Sequence, residues 1–428
     1  MKALNLCCAL IIILLLTQNV ASRRDYTGLR KEMSDILERE NVNGTQWPLI
    51  YSDDITTESE CYEKLDPQQA DPCSSDSNDW LGWMYWCTTS ITDLRTAEDR
   101  LLENLKDNYN RSYVNIGCVM GSEELHVWTL KMNEASNNTP LVMLHGFAAG
   151  VGLWILNLDD LAKHRPVYAI DILGFGSSSR PKFSSDPIEA ERELLNSIEA
   201  WRKAVGLEKF ILMGHSFGGF LAASYAIKYP ERISHLVLAD AWGLAERPPK
   251  SELRAQYPFW KYALASVMQN VNPLAMVRAA GSYGPKMLKR TRPDIIRKYS
   301  GVVEDAETVI PNYIYHCNAQ NPSGEEAFHT IMSGFRWAKY PIITRIDALR
   351  EDIAVTFIYG AKSWIDKEPP VQIKELRTNS YVDIQFIPDS GHHVYADHPE
   401  DFNTSLNQVC AKVDSGSLVI PIENSTFL

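Results

Sequence analysis

Short apolar runs alternating with helical repeats organise most of this chain. The runs Tyr113–Cys118, Leu125–Lys131, Leu141–Leu144, Val167–Ile170, Phe210–Met213, Ser234–Ala239, Val355–Tyr359 and Val382–Ile387 predict strands. Several, such as Leu141-Val142-Met143-Leu144, are apolar throughout. That is the pattern of parallel strands covered by helices on both faces. Helical periodicity over 187–205, 217–229 and 398–412 supplies such helices. Upstream, Leu94, Ala97, Leu101 and Leu105 recur at helical spacing, with Glu98, Asp99 and Glu103 elsewhere on the same helix. The stretch 243–350 breaks the alternation; it is helical and Pro-punctuated, which predicts an inserted cap. The expected fold class is therefore α/β: a mostly parallel eight-stranded sheet, helices on both faces, and a helical cap.

Before residue 111 the pattern differs. Lys2, the apolar run Leu6–Leu16 and the small residues Val20-Ala21-Ser22 make residues 1–22 a signal peptide or N-terminal anchor. The run falls short of the roughly 20 apolar residues a membrane span needs. Residues 23–79 are polar and acidic with little periodicity, an irregular extension. Trp80, Trp83 and Trp86 then cluster at the head of a segment over 80–110. Trp favours a membrane interface because its ring is apolar and its N–H stays wet, so the cluster is read as an anchor; an aromatic plug on the core is the alternative. The alternating strand–helix pattern fills 111–413, and 414–428 is a short tail.

Composition narrows the possibilities. With 428 residues, 45% hydrophobic and 22% charged, the chain is globular rather than disordered or fibrous. A net charge of −12 argues against a nucleic-acid partner. Sequons at Asn43, Asn110, Asn137, Asn403 and Asn424 are usable only in the secretory pathway. Beyond the signal, Cys61, Cys73, Cys87, Cys118, Cys317 and Cys410 permit disulfides, and none has the C-x-x-C spacing of a zinc site. No metal and no resident cofactor are expected.

The decisive chemistry is in Gly214-His215-Ser216-Phe217-Gly218, a G-x-S-x-G motif with the apolar strand Phe210–Met213 before it and a helix-forming run after it. That context predicts a nucleophile elbow, in which glycines permit a tight turn and the Ser oxygen stands above the sheet, as in an α/β-hydrolase. A tight strand–helix turn with an idle Ser is the alternative. A Ser hydroxyl needs a base, and the base an orienting carboxylate. His392, after the last predicted strand, is the expected base; His393 and His215 are expected to be structural. Asp366 is the preferred acid and Asp240 the alternative, each at the end of a predicted strand. The oxyanion donors are expected at the Phe147 and Phe217 N–H groups. His392 and Asp397 also form H-x-x-x-x-D, a pattern of glycerolipid acyltransferases in which His deprotonates the acceptor hydroxyl; a helix N-cap is the competing role for Asp397. Within the cap, Arg278, Lys286, Lys289, Arg290, Arg292, Arg297 and Lys298 face only Asp294 over a short span. Arg290 and Arg292 are the expected lipid contacts in this basic stretch, which is read as a site for a phosphate headgroup or anionic bilayer; a solvated helix face is the alternative.

These residues resemble the α/β-hydrolase domain-containing proteins 4 and 5. The shared strings include Leu144-His145-Gly146-Phe147, Leu173-Gly174-Phe175-Gly176, Tyr313-Ile314-Tyr315-His316-Cys317-Asn318 and His392-His393-Val394-Tyr395-Ala396-Asp397. The first of the two proteins is an N-acyl-phosphatidylethanolamine lipase or lysophospholipase, the second a lipid-droplet lipase co-activator. The co-activator carries Asn where this chain has Ser216, so the resemblance is to the catalytic branch. It implies hydrolysis of phospholipid acyl esters, with lysophosphatidate acyl transfer from acyl-CoA, or non-catalytic regulation of a lipase, as alternatives. It also implies a membrane or droplet surface, with a lipase or droplet-coat protein as partner. The resemblance implies a cytosolic membrane face, droplet or mitochondrion, whereas the signal and sequons point to the secretory pathway. Cys317 and Cys410 lie in family-like strings, which favours free thiols there.

Overall fold

The computed structural model describes residues 89–249, 251–252, 272, 274–334 and 336–418. The signal segment, the acidic extension, the Trp80, Trp83 and Trp86 anchor and most of the C-terminal tail lie outside these residues. Ser90 opens the first helix: its hydroxyl accepts the Asp93 N–H at 3.0 Å. Helix α1, Ile91–Leu102, then turns Leu94, Ala97, Leu101 and Leu102 inward. Fully buried Glu98 fixes it to the sheet, accepting from Arg111 at 2.7 Å and from the Trp128 indole at 3.0 Å.

The strands are β1 Tyr109–Gly117, β2 Leu125–Met132, β3 Leu141–Leu144, β4 Val167–Ile170, β5 Phe210–His215, β6 Ile233–Ala239, β7 Val355–Gly360 and β8 Val382–Ile387. All eight expected strands form, the first beginning at Tyr109 rather than Tyr113. They join one sheet in the order β1-β2-β4-β3-β5-β6-β7-β8. Only β2 runs against its neighbours; β3 to β8 are parallel. The unbroken apolar character of β3 and β5 follows from two packed faces. Val142, Leu144, Phe210 and Leu212 enter one core, and Leu141, Met143, Ile211 and Met213 the opposite one.

Helix α2, Leu158–Ala162, follows β3. Helix α3, Pro187–Ala204, starts at Asp186, whose carboxylate accepts the Ile188 and Glu189 N–H groups at 3.0 Å, with Pro in the first turn. Helix α4, Phe217–Lys228, is buried along ten of its twelve residues, against the first core. After β6 the chain leaves the sheet and returns only at Val355. The intervening cap holds α5 Ala275–Ala279, α6 Gly284–Thr291, α7 Pro293–Tyr299, α8 Ala306–Asn318 and α9 Gly324–Ile331. Helix α10, Glu368–Leu376, then leads to β8, and α11, Val394–Asp397, and α12, Pro399–Asp414, close the domain. Among the described residues, no helix is long and apolar enough to cross a membrane.

Candidate active site

The strand β5 delivers Ser216 into the turn before α4 with φ 54° and ψ −118°, a strained conformation for a residue with a side chain. Backbone bonds and close contacts enforce it. Ser216 N–H donates to the Ala239 carbonyl at 3.1 Å, and the Ser216 carbonyl accepts from Gly219, Phe220 and Trp242 at 3.0–3.2 Å. A Cβ on Gly218 would meet the Leu144 carbonyl oxygen at 2.4 Å, and one on Gly214 the Gly218 oxygen at 2.1 Å. Only glycine lets the turn pack this tightly onto β3.

His392 lies on the turn between β8 and α11. Its Nε2 faces Ser216 Oγ at 3.0 Å and its Nδ1 faces Asp240 Oδ2 at 2.6 Å. The carboxylate beside the histidine is therefore that of Asp240, the residue that follows β6. This corrects the preference for Asp366. The Asp366 carboxylate instead accepts the Glu368 N–H at 3.0 Å at the first turn of α10, so its side chain serves that helix. Asp240 is fully buried and sits at φ 45°; it also accepts from Ser363 Oγ at 2.5 Å. Burial raises its carboxyl, while the Ser363 hydrogen bond favours the charged form. Burial lowers His392 to about 3, with the charges of Lys298 and Arg292 acting in the same direction. A ring kept neutral at rest is free to accept a proton through Nε2.

His215 and His393 are not hydrogen-bonded to Ser216. His215 Nε2 lies 2.8 Å from the His392 carbonyl oxygen, so in the tautomer that donates there it ties the elbow to the histidine turn. Burial depresses its proton affinity to about 3. His393 packs edge-on to the rings of His392 and Tyr395.

On the other side of Ser216, the His145–Ala149 turn follows β3. A Cβ on Gly146 would lie 3.0 Å from Ser216 Cβ, which brings the turn against the nucleophile. The ring of His145 holds this turn by accepting the Ile172 N–H at 3.0 Å through Nε2. With its acceptor nitrogen so engaged, Nδ1–H donates to the Gly146 carbonyl at 2.8 Å. Among the described residues, no hydrogen bond occupies the N–H of Phe147 or of Phe217. Phe147 stacks on Phe328, Phe217 meets the same ring edge-on at 5.0 Å, and Trp242 lies 4.8 Å from it. Trp364 lies 4.9 Å from His392 across the site. Ser363, His145 and Trp364 were not legible as site residues, because each acts only on another site group.

Asp397 does not reach the ring of His392, nor does it cap α12, whose N-cap is His398. Its Oδ2 accepts the Gly391 N–H at 2.8 Å and its Oδ1 pairs with Lys298 Nζ at 2.8 Å. The basic cap stretch is also less free than the sequence implies. Arg278 pairs with Glu325 at 2.5 Å, Lys289 with Glu307 at 2.6 Å and Arg292 with Asp294 at 3.0 Å. Glu325 and Glu307, like the Asp397 that pairs with Lys298, come from outside the span in which only Asp294 was visible. Arg290 is exposed.

Residues 139–399 match the family of the alpha/beta hydrolase fold. The chain is 46% identical over 349 residues to a human (lyso)-N-acylphosphatidylethanolamine lipase, covering 81% of this chain and 100% of that protein. It is likewise 46% identical over 347 residues to human 1-acylglycerol-3-phosphate O-acyltransferase ABHD5, covering 80% and 97%. A bacterial membrane phospholipase A shares the fold at a TM-score of 0.51 and 18% identity, over 78% of this chain and 94% of that one. Carboxylesterase CesB from Bacillus subtilis does so at a TM-score of 0.51 and 15% identity, over 75% and 98%.

Proposed function

The chain belongs to the α/β-hydrolase fold family, and from that premise we propose a serine hydrolase that cleaves acyl esters of glycerophospholipids. Lysophospholipids and N-acyl-phosphatidylethanolamines are its substrate class; the lipase relatives are named for N-acylphosphatidylethanolamines and their lyso forms. The observation that carries the reading is the continuous line from Asp240 through His392 to Ser216, at 2.6 and 3.0 Å. Ser216 Oγ attacks the acyl carbonyl carbon as His392 Nε2 takes its proton. Asp240 holds the ring in the tautomer with Nδ1–H and stabilises the imidazolium. The N–H groups of Phe147 and Phe217 take the oxyanion, each contributing about 3 kcal/mol of transition-state stabilisation. The leaving glycerol oxygen receives the proton from His392, and water, activated by the same ring, releases the fatty acid. Phe147, half-buried and stacked on the buried Phe328, is the ring of this cluster available to an acyl chain, while Phe217, Phe328 and Trp242 back it from the core.

Acyl transfer to a lysophosphatidate, the activity in the name of the other relatives, is the second reading. It draws on the same His392, but Asp397 is committed to Gly391 and Lys298 rather than to the imidazole. That favours hydrolysis through the Ser216 line. The test is fluorophosphonate labelling of the full chain, wild type beside Ser216→Ala, with release of fatty acid from lysophospholipid vesicles. Labelling and release should both vanish in the variant, a loss of roughly 10⁴-fold or more in kcat. Unlabelled, folded wild type would overturn the reading.

We further infer passage through the secretory pathway and residence at a membrane surface. The N-terminal apolar run and the disulfide at Cys118 support the routing. Cys317 and Cys410 are buried free thiols. Asn110 and Asn137 are exposed, whereas Asn403 is buried and its carbonyl accepts from Asn157 at 2.8 Å. Endoglycosidase should shift the secreted or membrane-fraction protein, Asn137→Gln should reduce that shift, and Asn403→Gln should leave it unchanged.

A further inference from the structure

The basic stretch of the cap contains one side chain that reaches the catalytic machinery. Lys298 lies in the last turn of α7 and is only 14% exposed at its side chain; its partner Asp397 is 18% exposed. The pair, at 2.8 Å, joins the inserted cap to the segment that follows the histidine. The second Asp397 oxygen accepts the N–H of Gly391, the residue immediately before His392. The turn is also held from the elbow, where His215 Nε2 lies 2.8 Å from the His392 carbonyl oxygen. A Cβ on Gly391 would lie 3.4 Å from Asp397 Oδ2, so the carboxylate is packed against the turn it holds. The neighbouring α7 residue Tyr299 is anchored as well, its hydroxyl donating to the Leu153 carbonyl at 2.9 Å.

We propose that Lys298 is a positioning residue of the triad: through Asp397 and the Gly391 N–H it sets the turn carrying His392, so catalysis requires the cap helix α7 to be seated. The inference rests on the serine-hydrolase reading. A carboxylate held on one side by a cap lysine stays aimed at the Gly391 amide; without the lysine it is free to turn toward solvent, and the turn loses one of its two side-chain tethers. Small displacements matter here, since misplacing a catalytic group by about 1 Å can cost roughly 100-fold. The charged and titratable groups that face His392 are Asp240 after β6, His215 in the elbow, His393 and Asp397 on its own segment, and Lys298 and Arg292 from the cap. Removing the Lys298 charge therefore raises the proton affinity of His392, and it leaves the Asp397 charge unscreened, which acts in the same direction.

The experiment compares wild type, Lys298→Met, Lys298→Arg, Asp397→Asn and the Lys298→Met/Asp397→Asn double variant. The readouts are fluorophosphonate labelling rate, kcat and KM on a soluble short-chain ester, and the pH dependence of kcat/KM. Thermal melts establish that each variant is folded. Lys298→Met should lower kcat and the labelling rate roughly 10- to 100-fold with KM within about twofold. Its acid limb should move to higher pH, Lys298→Arg should restore both, and the double variant should lose no more than Asp397→Asn alone. Folded Lys298→Met that labels at the wild-type rate, or losses that multiply in the double variant with an unmoved acid limb, would overturn the proposal. Absence of labelling in wild type would instead overturn the serine-hydrolase reading itself.

Discussion

The sheet and the cap are held by different forces. Around the sheet, adhesion is nearly all apolar: β3 and β5 give every side chain before the elbow's Gly214 to one of two cores. The cap meets the sheet domain through directional polar bonds as well. Half-buried Arg180 donates to four carbonyls, those of Gly174 and Gly176 on one side and Cys317 and Asn321 on the cap side, each at 3.0 Å. Asn318 donates to the Ala148 carbonyl at 2.9 Å, and Tyr313 Oη accepts the Gly152 N–H at 2.8 Å. An apolar core tolerates changes of packing that keep its volume, whereas a buried polar seam fails when one member is removed. The cap's contacts also end on a functional turn, because Ala148 adjoins the proposed oxyanion donor Phe147 and Gly152 follows in the same stretch after β3. Cap geometry is thereby coupled to the site, and the cap is more than a cover.

Three substitutions test that contrast. The largest expected effect lies at the end of β6. Asp240→Asn should reduce kcat on any ester by roughly 10³- to 10⁴-fold without unfolding the chain, measured by steady-state kinetics and a thermal melt. Next, Arg180→Met should cost about 3 kcal/mol by denaturant titration, because buried carbonyls on both sides of the seam lose their donor. If the seam is as responsive as its hydrogen bonds imply, residual activity of the folded fraction should fall too; an unchanged specific activity would confine Arg180 to stability. The smallest effect is expected from Asp366→Asn, within about twofold of wild-type kcat, since the side chain only caps a first turn. A loss comparable with Asp240→Asn would reverse the assignment of the acid.

Much of this architecture could be read from the residues alone. The strands were legible because their apolar runs are short, uninterrupted and bounded by turn formers, and the elbow because strand, glycines and helix must occur together around Ser216. The choice of acid was not. Asp240 and Asp366 both follow parallel strands, β6 and β7 are adjacent in the sheet, and His392 lies more than 20 residues beyond either. Nothing in local pattern says which strand end the histidine faces. A hint lay in Asp366-Lys367-Glu368-Pro369, where an Asp just before a Pro-bearing acidic first turn suits a helix start. Asp397 failed in the opposite sense: His398-Pro399-Glu400 has the composition of a capped first turn, but a tertiary partner, Lys298, claims the carboxylate. The ion pairs of the basic cap stretch were illegible for the same reason. Charges are counted along a chain, but they are neutralised across a fold.

The peptide of Ser216 has a kinematic consequence. Its N–H is bound to Ala239 and its carbonyl to the Trp242 N–H. These two residues bracket Asp240, whose own N–H is bound to Ile358 on β7 at 2.8 Å. Nucleophile and acid therefore travel as a single rigid body, spliced through main-chain bonds that no side-chain substitution deletes. The histidine arrives on a separate link. That link is the turn after β8, whose Ser390 carbonyl accepts the Lys362 N–H just past β7 at 2.8 Å, so a shift of His392 alone leaves the main-chain spacing of Ser216 and Asp240 as it is.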